Sequence, residues 1–260
     1  MDRTGKRRGP YWALIESWAV WVVAFPLALA AAPRSPALLL AIALGGLAIC
    51  AYSLQRQMIA AWVVRVPLAL NTGIAVLFAV LLRGLDVAWF HLPLNVALLG
   101  VAAWLGLEVG GRIAQREHLV PLLIVVSAVD TWSVYRGVSA GLVSSGKIAY
   151  FLPSLPLAPE AWLPIIGVGD LCVVAIILAA GRSLGLPSWR GAAALWIGLG
   201  LARAVAHAVA APLPALPVSA PIYYLALRRE LPLSRRDLAI ALAFLAVLGA
   251  VLVVMRAIAR

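Results

Sequence analysis

The sequence predicts an all-α protein, a polytopic transmembrane bundle of about nine helices. Three observations carry that prediction. The 260 residues are 64% hydrophobic and only 12% charged, whereas a soluble domain carries roughly 25% charged residues. Apolar runs of about 17–25 residues, each long enough to cross a bilayer, recur from end to end. Unpaired backbone groups are intolerable in lipid, and no ten-residue alternating pattern is present, so the spans are expected to be helices rather than barrel strands.

Taken in order, the predicted spans are 11–32, 35–54, 59–82, 87–107, 119–135, 161–181, 190–211, 214–228 and 237–257, separated by Pro, Gly and charge punctuation. The first follows a basic stretch, MDRTGKRRG, and contains Ala28-Leu29-Ala30, a pair of features shared with cleaved signal peptides. Glu16, Trp18 and Trp21 within it favour a retained helix. The longest connection, 136–160, contains YFLPSLPLAPE, whose three prolines exclude a continuous helix. The eighth span is the shortest. These runs group as N-terminal helices over 1–118, a core over 119–228 and a C-terminal helix over 229–260.

The net charge of +11 does not point to nucleic acid, because the Lys and Arg residues lie in short clusters between apolar runs. That is the pattern that orients a membrane protein. With a cytoplasmic N-terminus, thirteen basic residues fall on the cytoplasmic side and six on the other, which places the 136–160 loop outside. Cys50 and Cys172 have no metal-ligand spacing, and no disulfide is expected between them. No nucleotide-binding loop is present either, so no cofactor is expected. Trp89, Trp162 and Trp189, near span ends, read as interfacial anchors.

The chemistry-bearing residues are the acids inside the apolar runs: Glu16, Asp130 and Asp170, with Glu108 at a span end. Asp130 lies near the end of its helix in VVSAVDTWSVY, and Asp170 near the start of the next in LPIIGVGDLCVV. Helices that run out and back would bring both to similar depth. Two carboxylates sharing a low-dielectric site hold one proton between them. That is the state in which one can activate water while the other donates to a scissile carbonyl. Gly167 and Gly169 take side chains away from the start of the Asp170 helix, which would admit a substrate backbone; small residues also serve plain helix packing. APLPALPVSAP, 211–221, carries four prolines and cannot open as an ordinary helix. It would leave backbone groups to pair with an extended peptide, or be a simple proline-rich turn. Arg203 and His207, four apart, share a helix face, with Glu16 or Glu108 as prospective partners; Arg65 reads the same way.

An aspartate in one apolar helix, Gly-x-Gly-Asp opening the next, and Pro-Ala-Leu one helix later together resemble the presenilin and signal-peptide-peptidase family of intramembrane aspartyl proteases. The matching positions are Asp130; Gly167, Gly169 and Asp170; and Pro214, Ala215 and Leu216, and the resemblance covers about 119–228. It implies a presenilin-like bundle in a bacterial or archaeal plasma membrane, with Asp130 and Asp170 as the catalytic pair. Gly167, Gly169, Pro214, Ala215 and Leu216 would support the site, and the partners would be the lipid bilayer and the transmembrane helices of substrate proteins. The chain departs from the family in having Val129 where a Tyr is usual, four predicted spans rather than five before the Asp130 helix, and a span after Pro-Ala-Leu. The competing expectations are a proton-coupled transporter or channel, since membrane aspartates relay protons, and a catalytically silent binder of membrane helices.

Overall fold

The computed structural model describes residues 9–31, 35–85, 88–136, 150–158, 161–211 and 213–231, with isolated positions at 235, 236, 239, 243 and 246. They form eight α-helices and one two-stranded hairpin. The helices are α1 (Pro10–Ala31), α2 (Pro36–Val63), α3 (Arg65–Gly84), α4 (His91–Gly110), α5 (Leu119–Arg136), α6 (Val168–Ser183), α7 (Ser188–Ala208) and α8 (Leu216–Leu227). The strands are β1 (Ser154–Ala158) and β2 (Ala161–Pro164). Six helices are long and apolar enough to cross a membrane, namely α1 to α4, α7 and the helical stretch 116–135 that contains most of α5. The chain is an integral membrane protein by that measure, with six such helices among the described residues in place of the nine expected.

The difference has local causes. The run expected to be helical from residue 161 opens as β2, so α6 has only 16 residues. Pro164 and Gly167 lie just ahead of it, and neither favours extending a helix backward. The eighth run yields a helix of 12 residues. The ninth, 237–257, lies outside the described residues apart from helical positions 239, 243 and 246. In the other direction, α2 runs 28 residues and takes in the expected connection at 55–58, because Gln55, Arg56, Gln57 and Met58 include no helix breaker. It stops at Val64, whose φ of −148° and ψ of 125° are extended. Pro67 then sits in the first turn of α3, where its missing N–H costs nothing.

The chain divides into two compact units, Met1–Gly111 with Gly141–Ala179, and Arg112–Ala140 with Ala180–Arg260. In the first, α1, α2, α3 and α4 pack together. Their interior holds a polar chain that bonds across helices, as it must where lipid offers no partner. The Ser17 and Ser53 hydroxyls lie 2.6 Å apart, and the Gln57 side-chain amide donates to Ser17 Oγ and to the Val96 carbonyl. Two acids of this unit are paired, Glu16 with Arg56 at 2.6 Å and Glu108 with Arg65. The Glu108 pair gives Arg65 the structural role expected of it. The hairpin belongs to the same unit, antiparallel, with Leu155 opposite Leu163 and Pro156 opposite Trp162. Trp162 is therefore not an anchor at a helix end. Its ring packs on His91 of α4 and Phe25 of α1, with centroids 4.0 and 5.7 Å away.

In the second unit α8 packs against α5 and α7. The α7–α8 contact is close because α7 presents glycines. A Cβ added at Gly198 would lie 2.4 Å from Ser219 Cα, and one at Gly191 would lie 2.9 Å from the Tyr223 ring. Close backbone approach of this kind is how helices associate in lipid. Arg190 closes the far end, donating to the Ala226 carbonyl at 2.6 Å and pairing with Glu230 at 3.0 Å.

Candidate active site

The second unit brings Asp130 and the Pro-Ala-Leu segment together. Asp130 occupies the later part of α5, half-buried. On either side of it the helix turns its hydroxyls onto its own carbonyls, Ser127 Oγ donating to Leu123 O at 2.7 Å and Thr131 Oγ1 to Ser127 O at 2.8 Å. This is the usual way a hydroxyl is satisfied in an apolar helix. The Asp130 carboxylate reaches instead to a neighbouring helix, where Oδ2 accepts the backbone N–H of Leu216 at 2.9 Å.

That donor exists because of the prolines. Four N–H groups at the start of any helix lack intrahelical partners. Here α8 opens at Leu216 with Ala215 as its N-cap residue. Pro217 has no N–H, and Val218 and Ser219 both donate to the Ala215 carbonyl, at 3.2 and 3.1 Å. The Leu216 N–H is the remaining donor of that turn, and Asp130 takes it. A side-chain carboxyl from another helix thus caps this helix N-terminus. Pro214 and Leu216 are buried and Ala215 is half-buried.

Part of the backbone that this segment was expected to offer to an extended peptide is already bonded. Its Leu216 donor and Ala215 acceptor are committed within the fold, and Pro214 has no donor to offer.

The first unit places Gly167, Gly169 and Asp170 at the start of α6. The helix begins at Val168, and Leu171 N–H donates to the Gly167 carbonyl at 3.1 Å, so Gly167 is its boundary residue. Asp170, half-buried, lies in the first turn, where a carboxylate is favoured by the unpaired N–H groups. A Cβ at Gly167 would sit 3.2 Å from Asp170 Oδ2, a tight approach that would press on the carboxylate. A Cβ at Gly169 would meet nothing within 4 Å, and Gly169 is exposed. The two glycines thus differ: one makes room for the acid, and the other leaves open space beside it.

The segment that leads to Pro-Ala-Leu carries strain. After α7 ends, Ala211 N–H donates to Ala206 O and Ala210 N–H to His207 O, which is a Schellman cap. Its left-handed position, with φ of 49°, is filled by Ala210 and not by glycine. Of the ionisable pair on α7, His207 thus contributes its carbonyl to the cap. Of the acids named as prospective partners of Arg203, Glu16 pairs with Arg56 and accepts from Tyr52, and Glu108 pairs with Arg65.

Two features had no place in the sequence expectations. Asn95 and Ser154 form a two-point contact between α4 and β1. The only sequence signal for it was an amide side chain within an apolar span. The second feature is a cavity of about 320 Å³, lined by Trp18, Ile74, Phe78, Leu82, Trp89, Leu92 and Pro93. It is apolar, and no residue of the candidate site lines it. Both cysteines are free thiols, Cys50 buried and Cys172 half-buried. Among the described residues no group of three His, Cys, Asp or Glu side chains is placed to hold a metal ion.

Comparison with family models, with curated proteins and with solved structures found no match.

Proposed function

We propose that the chain is an intramembrane aspartyl protease of the presenilin and signal-peptide-peptidase type, with Asp130 and Asp170 as its catalytic pair. The observation that carries this reading is the hydrogen bond from Leu216 N–H to Asp130 Oδ2, which joins two of the three sequence motifs at one point.

In the proposed mechanism the pair holds one proton. The ionised carboxylate removes a proton from water as its oxygen attacks the scissile carbonyl carbon, and the protonated carboxyl donates to the carbonyl oxygen. The resulting gem-diol collapses, the C–N bond breaks, and a proton passes to the leaving nitrogen, giving a new carboxyl and a new amine. The hydrogen bond from Leu216 N–H holds the Asp130 carboxyl in place for this chemistry. The open space beside Gly169 is the place for the substrate backbone. The hairpin ahead of α6 is the template on which an unwound transmembrane segment would extend as a further strand.

The finer architecture is part of the same proposal: about nine spans, a cytoplasmic N-terminus, and single transmembrane helices of other proteins as substrates. The test is expression with a library of tagged single-span substrates in a bacterial membrane, comparing wild type with Asp130→Ala and Asp170→Ala. Fragments present in wild type and absent from both variants are expected. Fragments that persist in either variant would remove that aspartate from the mechanism. A proton-coupled transporter is the alternative, and it predicts proton flux into liposomes without cleavage.

A further inference from the structure

We propose that Asn95 is a positioning residue for the Asp170 end of the site, an inference that rests on the protease reading above. Asn95 is fully buried on α4. Its Nδ2 donates to the Ser154 carbonyl at 2.8 Å, and its Oδ1 accepts the Ser154 N–H at 3.0 Å. One side-chain amide thus serves both backbone groups of the first residue of β1, as a neighbouring strand would. The orientation of the amide is unambiguous, because an N–H on the chain must face the oxygen and a carbonyl must face the nitrogen. A buried amide in an apolar helix is unfavourable unless it is bonded, and here both its nitrogen and its oxygen are.

The grip is not isolated. His91 lies one turn before Asn95, on the same face of α4, and its ring stacks on Trp162 at 4.0 Å between centroids. Neighbouring positions of one helix therefore hold both strands, Asn95 taking β1 and His91 taking β2. From β2 the chain is held up to the start of α6. Ile165 N–H donates to the Pro153 carbonyl at 2.9 Å, beside Ser154, and closes the base of the hairpin. Ile165 and Ile166 are buried, and a Cβ on Gly46 of α2 would lie 2.8 Å from the Ile165 side chain. Gly167 follows and bounds the helix that carries Asp170. A shift of β1 is passed through this path to the carboxylate.

The experiment uses the full chain in lipid nanodiscs, as wild type, Asn95→Ala, Ser154→Pro and the double variant. Ser154→Pro deletes the same N–H from the other partner and serves if Asn95→Ala does not fold. Hydrogen exchange is read at Ile165 and Leu171, whose amides are bonded in the native fold, with the α8 amides as an internal reference. Cleavage of a single-span substrate is read as separate kcat and KM.

Exchange at Ile165 and Leu171 should quicken about tenfold or more relative to α8. The kcat should fall by up to about a hundredfold with KM within about twofold, as displaced catalytic groups require. The double variant should lose no more than the worse single variant. Unchanged exchange at Leu171 would overturn the proposal, and so would quickened exchange with an unchanged kcat. If the wild type cuts nothing, the protease reading fails on its own. The exchange at Leu171 then still decides whether Asn95 positions the Asp170 helix.

Discussion

The two candidate catalytic acids have opposite surroundings. Asp130 sits late in a long helix and is bonded across to another, its carboxylate capping α8 through Leu216 N–H at 2.9 Å. Asp170 sits in the first turn of a short helix, with a glycine boundary residue before it and open space at Gly169 beside it. Losing the first carboxylate therefore orphans a donor on another helix, whereas losing the second removes a first-turn acid from its own helix.

The largest expected effect treats the two alike. Asp130→Ala and Asp170→Ala should each lower cleavage by about three to four orders of magnitude in a reconstituted assay. Stability should then separate them. Removing the Asp130 carboxylate leaves the Leu216 N–H unpaired, at a cost of about 1–3 kcal/mol in a denaturation titration in micelles. Removing Asp170 loses a first-turn acid, worth about 0.3–1 kcal/mol. Equal losses would break the comparison.

The glycines sharpen it at the Asp170 end. Gly167→Ala places a methyl 3.2 Å from Asp170 Oδ2 and should lower kcat by about tenfold, since small displacements of a reacting group are costly. Gly169→Ala meets no atom within 4 Å. It should leave kcat near wild type and stabilise the helix start by up to about 1 kcal/mol. A raised KM in this variant would locate the substrate backbone there.

The smallest effect concerns the approach to Pro-Ala-Leu. The helices α6 and α7 end in the same cap, but Gly185 takes the left-handed position after α6, with φ of 68°, and Ala210 takes it after α7. Ala210→Gly should stabilise the protein by about 0.5–1 kcal/mol in the same titration. If the strain holds Pro-Ala-Leu in place, that gain should come with a fall in cleavage, while no loss of cleavage would make the strain incidental.

Much of this was legible in the sequence because it is local. Apolar run length announces α1 to α4, α5 and α7, and the prolines of 211–221 announce an irregular approach to the eighth run, which was expected from 214 and opens as a helix at Leu216. The motif acids are visible because charge within an apolar run is rare. The hairpin was not legible. SLPLAPEAWLP, 154–164, carries three prolines and shows no clear alternation, and it is held as strands by Asn95 and His91 from far earlier in the chain. Such nonlocal support leaves no periodic trace. The length of α2 was hidden for the opposite reason. Arg56 and Gln57 read as a connection, yet Gln57 is buried and bonded to Ser17 and Val96, and Arg56 is paired with Glu16. The Leu216 bond to Asp130 was partly foreseeable, since the motif order placed both segments in one core, but the capping role of the carboxylate required the structure.

The most direct test of the central claim uses the purified chain in liposomes with a single-span peptide in water enriched in oxygen-18, followed by mass spectrometry of the products. The account predicts two fragments, with one heavy oxygen in the new carboxyl terminus, and neither fragment from Asp130→Ala or Asp170→Ala. An intact peptide with wild type, or labelled fragments that survive loss of either aspartate, would contradict it.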